Sequence, residues 1–77
     1  MSEVPMDDPE AIRRLANAKM PFGKYAGFLL LDLPEPYLIW FARKGYPQGE
    51  LGRQLAAIYS IKENGLEDLL RPLVRRG

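Results

Sequence analysis

Hydrophobic and polar positions along the chain change rhythm several times, and each change predicts an element. Asp8-Pro9-Glu10 marks a helix start: an acid to accept orphan amides, a proline whose missing N–H costs nothing at the first helical position, and an acid favoured by the dipole. Ile12, Leu15 and Ala16 follow at the i, i+3, i+4 spacing of one helix face, with Arg13, Arg14 and Asn17 expected to face outward. This helix should end before Pro21, whose ring disfavours a helical residue ahead of it.

From Met20 to Leu33 the pattern is no longer helical. Two glycines, Gly23 and Gly27, stand between Phe22, Tyr25 and Phe28, and Leu29-Leu30-Leu31 follow. Glycine takes the positive φ that tight turns need, so the segment reads as a two-stranded β-hairpin turning near Lys24 to Gly27. Such a hairpin is marginal alone and should lie on the helices, with Phe22 and Phe28 as its anchors.

Leu33-Pro34-Glu35-Pro36 opens a second helix, with Asp32 placed to cap it. Tyr37 to Ala42 is apolar almost all round, which predicts a central element. Gly45 should stop it, with Arg43 and Lys44 at its negative end. A third helix is expected over about residues 48–63, carrying Leu51, Leu55, Ile58 and Lys62 on one side with Tyr59 beside them. Gly52 inside it suggests a close approach, Trp40 being the expected neighbour. Asn64-Gly65 ends that helix and residues 66–70 form a short fourth one. The predicted fold class is therefore α+β and helix-rich: a helix, a two-stranded hairpin, and three further helices, the last short. Residues 1–7 read as a flexible lead-in, 8–74 as one small domain, and 75–77 as a frayed end.

Composition narrows the chemistry. At 77 residues with neither cysteine nor histidine, the chain has no disulfide, no Cys/His zinc cluster, and neither the usual general base nor the best nucleophile. Threonine is absent, and neither Ser2 nor Ser60 has a recognisable activating base. Asp32 with Glu35 is the one carboxylate pair next to a possible pocket, and helix capping explains it more economically than catalysis. Asp7, Asp8 and Glu10 lack a shaped oxygen cage for a metal. Neither an enzyme nor a cofactor is expected.

The net charge of +1 conceals a gradient. Residues 1–10 carry four acids and no base, whereas residues 11–62 carry eight bases against three acids. No apolar run approaches a membrane span, and Met-Ser-Glu-Val-Pro-Met-Asp-Asp is unlike a secretory signal, so a cytoplasmic location is expected. A glycine-flanked turn and interleaved aromatic and basic residues remain as candidate chemistry. Lys24, Tyr25, Arg43, Lys44 and Tyr46 form the expected partner-binding surface, with Tyr25 and Tyr46 exposed and Trp40 and Phe41 in the core. The partner expected first is a protein; the alternative is single-stranded nucleic acid, which aromatic and cationic side chains together can hold. A homodimer through Leu69, Leu73 and Val74 is compatible with either.

The string Met20-Pro21-Phe22-Gly23-Lys24-Tyr25-Ala26-Gly27, then Leu33-Pro34, Tyr37-Leu38-Ile39-Trp40-Phe41 and Gly49-Glu50-Leu51-Gly52, resembles a small bacterial family. Its members are labelled quorum-sensing-regulated virulence factors, a domain of unknown function. The resemblance runs from Met20 to Leu70, with one departure at Ala26, where related sequences more usually have lysine. The same segment is similar to one appended to some bacterial proofreading-type exonucleases. The resemblance implies a bacterial, non-catalytic accessory module; the family label names a regulation and a phenotype rather than a chemistry.

Overall fold

The computed structural model describes residues 8–75. The described residues form three α-helices, α1 (Pro9–Asn17), α2 (Glu35–Lys44) and α3 (Glu50–Glu63), with one 3-10 turn between α1 and α2 at Leu30–Asp32 and two after α3 at Glu67–Leu69 and Arg71–Leu73. The expected lead-in at 1–7 lies outside the described residues.

The start of α1 is as its sequence dictates. Asp8 caps it, its carboxylate accepting from the Glu10 amide at 3.0 Å, and Glu10 pairs with Arg13. Ala11, Leu15 and Ala16 are buried. Asn17, expected to face solvent, instead turns inward: its amide nitrogen donates to the Leu73 carbonyl at 3.0 Å, and its oxygen accepts from the Arg75 amide at 2.7 Å. One polar side chain thus ties the last turn and the Arg75 amide to the first helix, while residues 76–77 of the end expected to fray lie outside the described residues.

The β-hairpin does not form. Among the described residues there is no strand, only a single isolated antiparallel bridge between Lys19 and Leu29, so the fold is helical rather than α+β. Two features explain this. Pro21 has no amide to give to a ladder. Leu30, Leu31 and Leu33 are also all fully buried, and successive residues of a strand point to opposite faces. A 3-10 turn instead brings all three inward, closed by the Asp32 amide on Leu29 and the Leu33 amide on Leu30.

The core is centred on this leucine turn and on α3, which buries Gly52, Leu55, Ile58 and Ile61. α3 begins at Glu50 rather than 48 and packs against both α2 and the leucine turn, while α1 meets the leucine turn and the last turn. α2 is not the central helix. Only Leu38 and Phe41 of it are buried, and Trp40 is 50% exposed. Its run of apolar residues is wider than the neighbours it packs on. Nor does Asp32 cap it: Pro34 occupies that position, and the Asp32 carboxylate accepts from Arg71 at 2.5 Å. Where a fourth helix is expected over residues 66–70 there is a 3-10 turn, Glu67–Leu69, and a second one, Arg71–Leu73, follows after Leu70 and contains Pro72.

Candidate aromatic binding face

Between Met20 and Leu30 the chain makes a loop whose ends are clasped by main-chain hydrogen bonds. The Met20 amide donates to Phe28, the Gly27 amide to Met20, and the Leu30 amide to Ala18, at 2.7–2.9 Å. Gly23 and Gly27 take φ of +79° and +89°, the left-handed region that side chains avoid. A Cβ on Gly23 would also lie 3.6 Å from the Tyr37 hydroxyl, because the loop rests against α2.

That contact builds the site. Tyr25 of the loop packs on Phe28 (5.5 Å between ring centroids) and on Tyr37 (4.7 Å); Tyr37 packs on Phe41 (5.1 Å), and Phe41 on Trp40 (5.1 Å). Five rings therefore run without a break from the loop to the middle of α2, mostly edge to face, the arrangement ring quadrupoles favour. Both ends of the series reach solvent: Phe28 is 49% exposed and Trp40 50%, with Phe22 at the loop lip similarly open. Expectation had placed Phe22, Phe28 and Trp40 in the packing. They are instead the open part of the face, and of these rings only Phe41 is in the core.

The residues singled out from sequence divide in three ways. Lys24 is exposed, its ammonium 5.6 Å from the Tyr25 ring centre. Tyr25, expected exposed, is half-buried within the ring series. Arg43 and Lys44 are exposed, three and four residues beyond Trp40 and so one turn along α2 from it. Tyr46 is half-buried and belongs to the α2–α3 connection: its Cβ would stand 3.4 Å from a Cβ on Gly52. The carbonyl oxygen of Pro47 would stand only 1.8 Å from that Cβ, so the close approach at Gly52 is to this connection and not to Trp40. The exposure of Phe22, Phe28 and Trp40 is not foreseen from sequence because hydrophobicity alone assigns large rings to the interior.

Burial holds the Tyr46 phenol above its usual 10.0, with the neighbouring Tyr59 and Glu63 adding repulsion against a phenolate. The folded state thus keeps this proton more tightly than the unfolded chain. Its contribution to stability is intact below about pH 10 and is lost as pH rises through the raised folded value. In urea titrations between about pH 9 and 11, the wild-type protein is expected to lose more stability than Tyr46→Phe. Parallel losses would show that the alkaline sensitivity lies elsewhere.

Among the described residues no group of three or more acidic side chains is placed to hold a metal ion, and no helix is long and apolar enough to cross a membrane. The family described as "Putative quorum-sensing-regulated virulence factor" matches residues 8–73. Two curated relatives are "Uncharacterized protein YpeB" of Escherichia coli (strain K12) and its counterpart in Escherichia coli O157:H7. Each is 49% identical over 69 residues, covering 88% of this chain and 96% of the relative. No solved structure matches the chain at a significant level.

Proposed function

The chain belongs to the family described as "Putative quorum-sensing-regulated virulence factor", and from that premise we propose that it acts by binding, as a small non-catalytic accessory module. One observation carries the reading: the continuous five-ring series whose two ends, Phe28 and Trp40, are each half exposed. Solvent-exposed rings cost hydrophobic free energy, and a group of them marks a contact surface more often than a single exposed side chain does. Lys24 lies over the Tyr25 ring, Arg43 and Lys44 are exposed one turn beyond Trp40, and Tyr25 joins the loop rings to α2. The absence of histidine, cysteine and threonine from the chain supports binding over catalysis.

The test compares wild type with Phe28→Ala/Trp40→Ala as baits in Escherichia coli lysate, with both proteins and nucleic acids identified in the eluates. Both substitutions fall at half-exposed positions, so the variant should keep wild-type helicity by circular dichroism. At least one species retained by wild type should be released by the variant. Identical retained sets would remove the face as the contact surface.

A further inference from the structure

We propose that the ligand of this face is single-stranded nucleic acid, its bases stacking on Phe28 and Trp40 and its phosphates met by Lys24, Arg43 and Lys44. This rests on the reading above of the ring series as the contact surface.

The charge pattern along the ring-bearing segments points to a polyanion. Every ring of the series lies in one of two stretches without a single acid, residues 11–31 and 36–49. Those stretches hold six bases: Arg13, Arg14, Lys19, Lys24, Arg43 and Lys44. Glu10 engages Arg13, whereas Lys24, Arg43 and Lys44 are all exposed. Lys24 lies over the Tyr25 ring, which places a cation beside the stacking surface rather than remote from it.

The kind of apolar surface then separates a nucleic acid from an acidic protein segment. The large apolar side chains exposed at the loop and on α2, Phe22, Phe28 and Trp40, are all aromatic, while the exposed leucines, Leu66 and Leu69, lie beside and in a 3-10 turn that carries Glu67 and Asp68. Flat rings beside cations suit bases, since every base has a π-face and every nucleotide a phosphate. A ring stacks only on a base free of its neighbours, so the strand must be single.

The chain's single tryptophan is Trp40, so the face reports on itself. Titrating the full chain with labelled 20-mers of deoxythymidine and of uridine at about 50 mM salt should quench Trp40 fluorescence and raise anisotropy together, and comparing the two separates a DNA from an RNA preference. Three or four phosphate contacts predict binding roughly 15–50-fold weaker at about 200 mM salt. Trp40→Ala should weaken anisotropy-detected binding by about 10–100-fold and Trp40→Phe by no more than about fivefold. A duplex of the same length should bind at least about tenfold more weakly, its bases already being stacked.

Neither oligomer binding at tens of micromolar protein would overturn the proposal. So would a duplex binding as well as the single strand, or polyglutamate displacing the oligomer at equal charge, the latter indicating an acidic protein segment. In any of these cases a species released by Phe28→Ala/Trp40→Ala in lysate would leave the contact surface standing and discard only the ligand class.

Discussion

Gly52→Ala is expected to destabilise the domain by about 3 kcal/mol, the upper end for overpacking, although alanine is the better helix former. Gly52 lies inside α3, where exchanging glycine for alanine at a free position gains about 1 kcal/mol. Here the new methyl would stand 1.8 Å from the Pro47 carbonyl oxygen, a backbone atom that no rotamer change can move aside. The Tyr46–Pro47 connection, or the helix itself, must shift. For a domain of this size the cost corresponds to a melting temperature lower by roughly 12–24 °C. Ser60→Ala, at an exposed position of the same helix, supplies the control and should leave stability unchanged or slightly raised. Thermal and urea unfolding followed by circular dichroism measure both. If Gly52→Ala melts at or above wild type, the connection does not pack against α3 as described.

Leu31→Ala should have an effect of similar size for a different reason. Leu31 is fully buried in the turn that joins α1 and α3, and removing such a side chain leaves a cavity costing about 2–5 kcal/mol. A domain this small holds only about 3–5 kcal/mol in total, so Leu31→Ala should be largely unfolded at 25 °C. The comparison with its neighbours distinguishes a turn from a strand. In a strand Leu29 and Leu31 would share a face and Leu30 would point the other way. In the observed turn Leu30 and Leu31 are both fully buried while Leu29 is half-buried. Leu30→Ala should therefore be as damaging as Leu31→Ala, and Leu29→Ala much milder. Alternation of the three effects would restore the strand.

The helices were readable because their signals are local. Asp8-Pro9 starts α1, and Gly45, donating to the Phe41 carbonyl at 2.8 Å, ends α2. The hairpin was misread because glycines four apart with apolar flanks fit a tight β-turn and a clasped loop equally well. Which one forms depends on what Leu30, Leu31 and Leu33 pack against, and that is set by α1 and α3. Asn17 shows the same limit. Its position on the polar side of α1 is correct for the helix alone, yet its amide partners are 56 and 58 residues away in the chain. In the candidate site, Lys24, Arg43 and Lys44 were found by their charge. Trp40, Phe22 and Phe28 were hidden, since nothing in a single sequence says which side of an apolar helix is left uncovered.

The clasp at the base of the glycine loop uses carbonyls and amides of Ala18, Met20, Gly27, Phe28 and Leu30, with no side chain among the bonded groups. Its shape is consequently indifferent to most of the amino acids carried at its tip. Phe22, Lys24 and Ala26 are exposed and could be exchanged with little penalty to folding. A lysine at Ala26, for instance, would add a cation at the rim of the rings without disturbing the support beneath. Loop-tip chemistry and loop shape are in this way separable, the first carried by side chains and the second by the main chain.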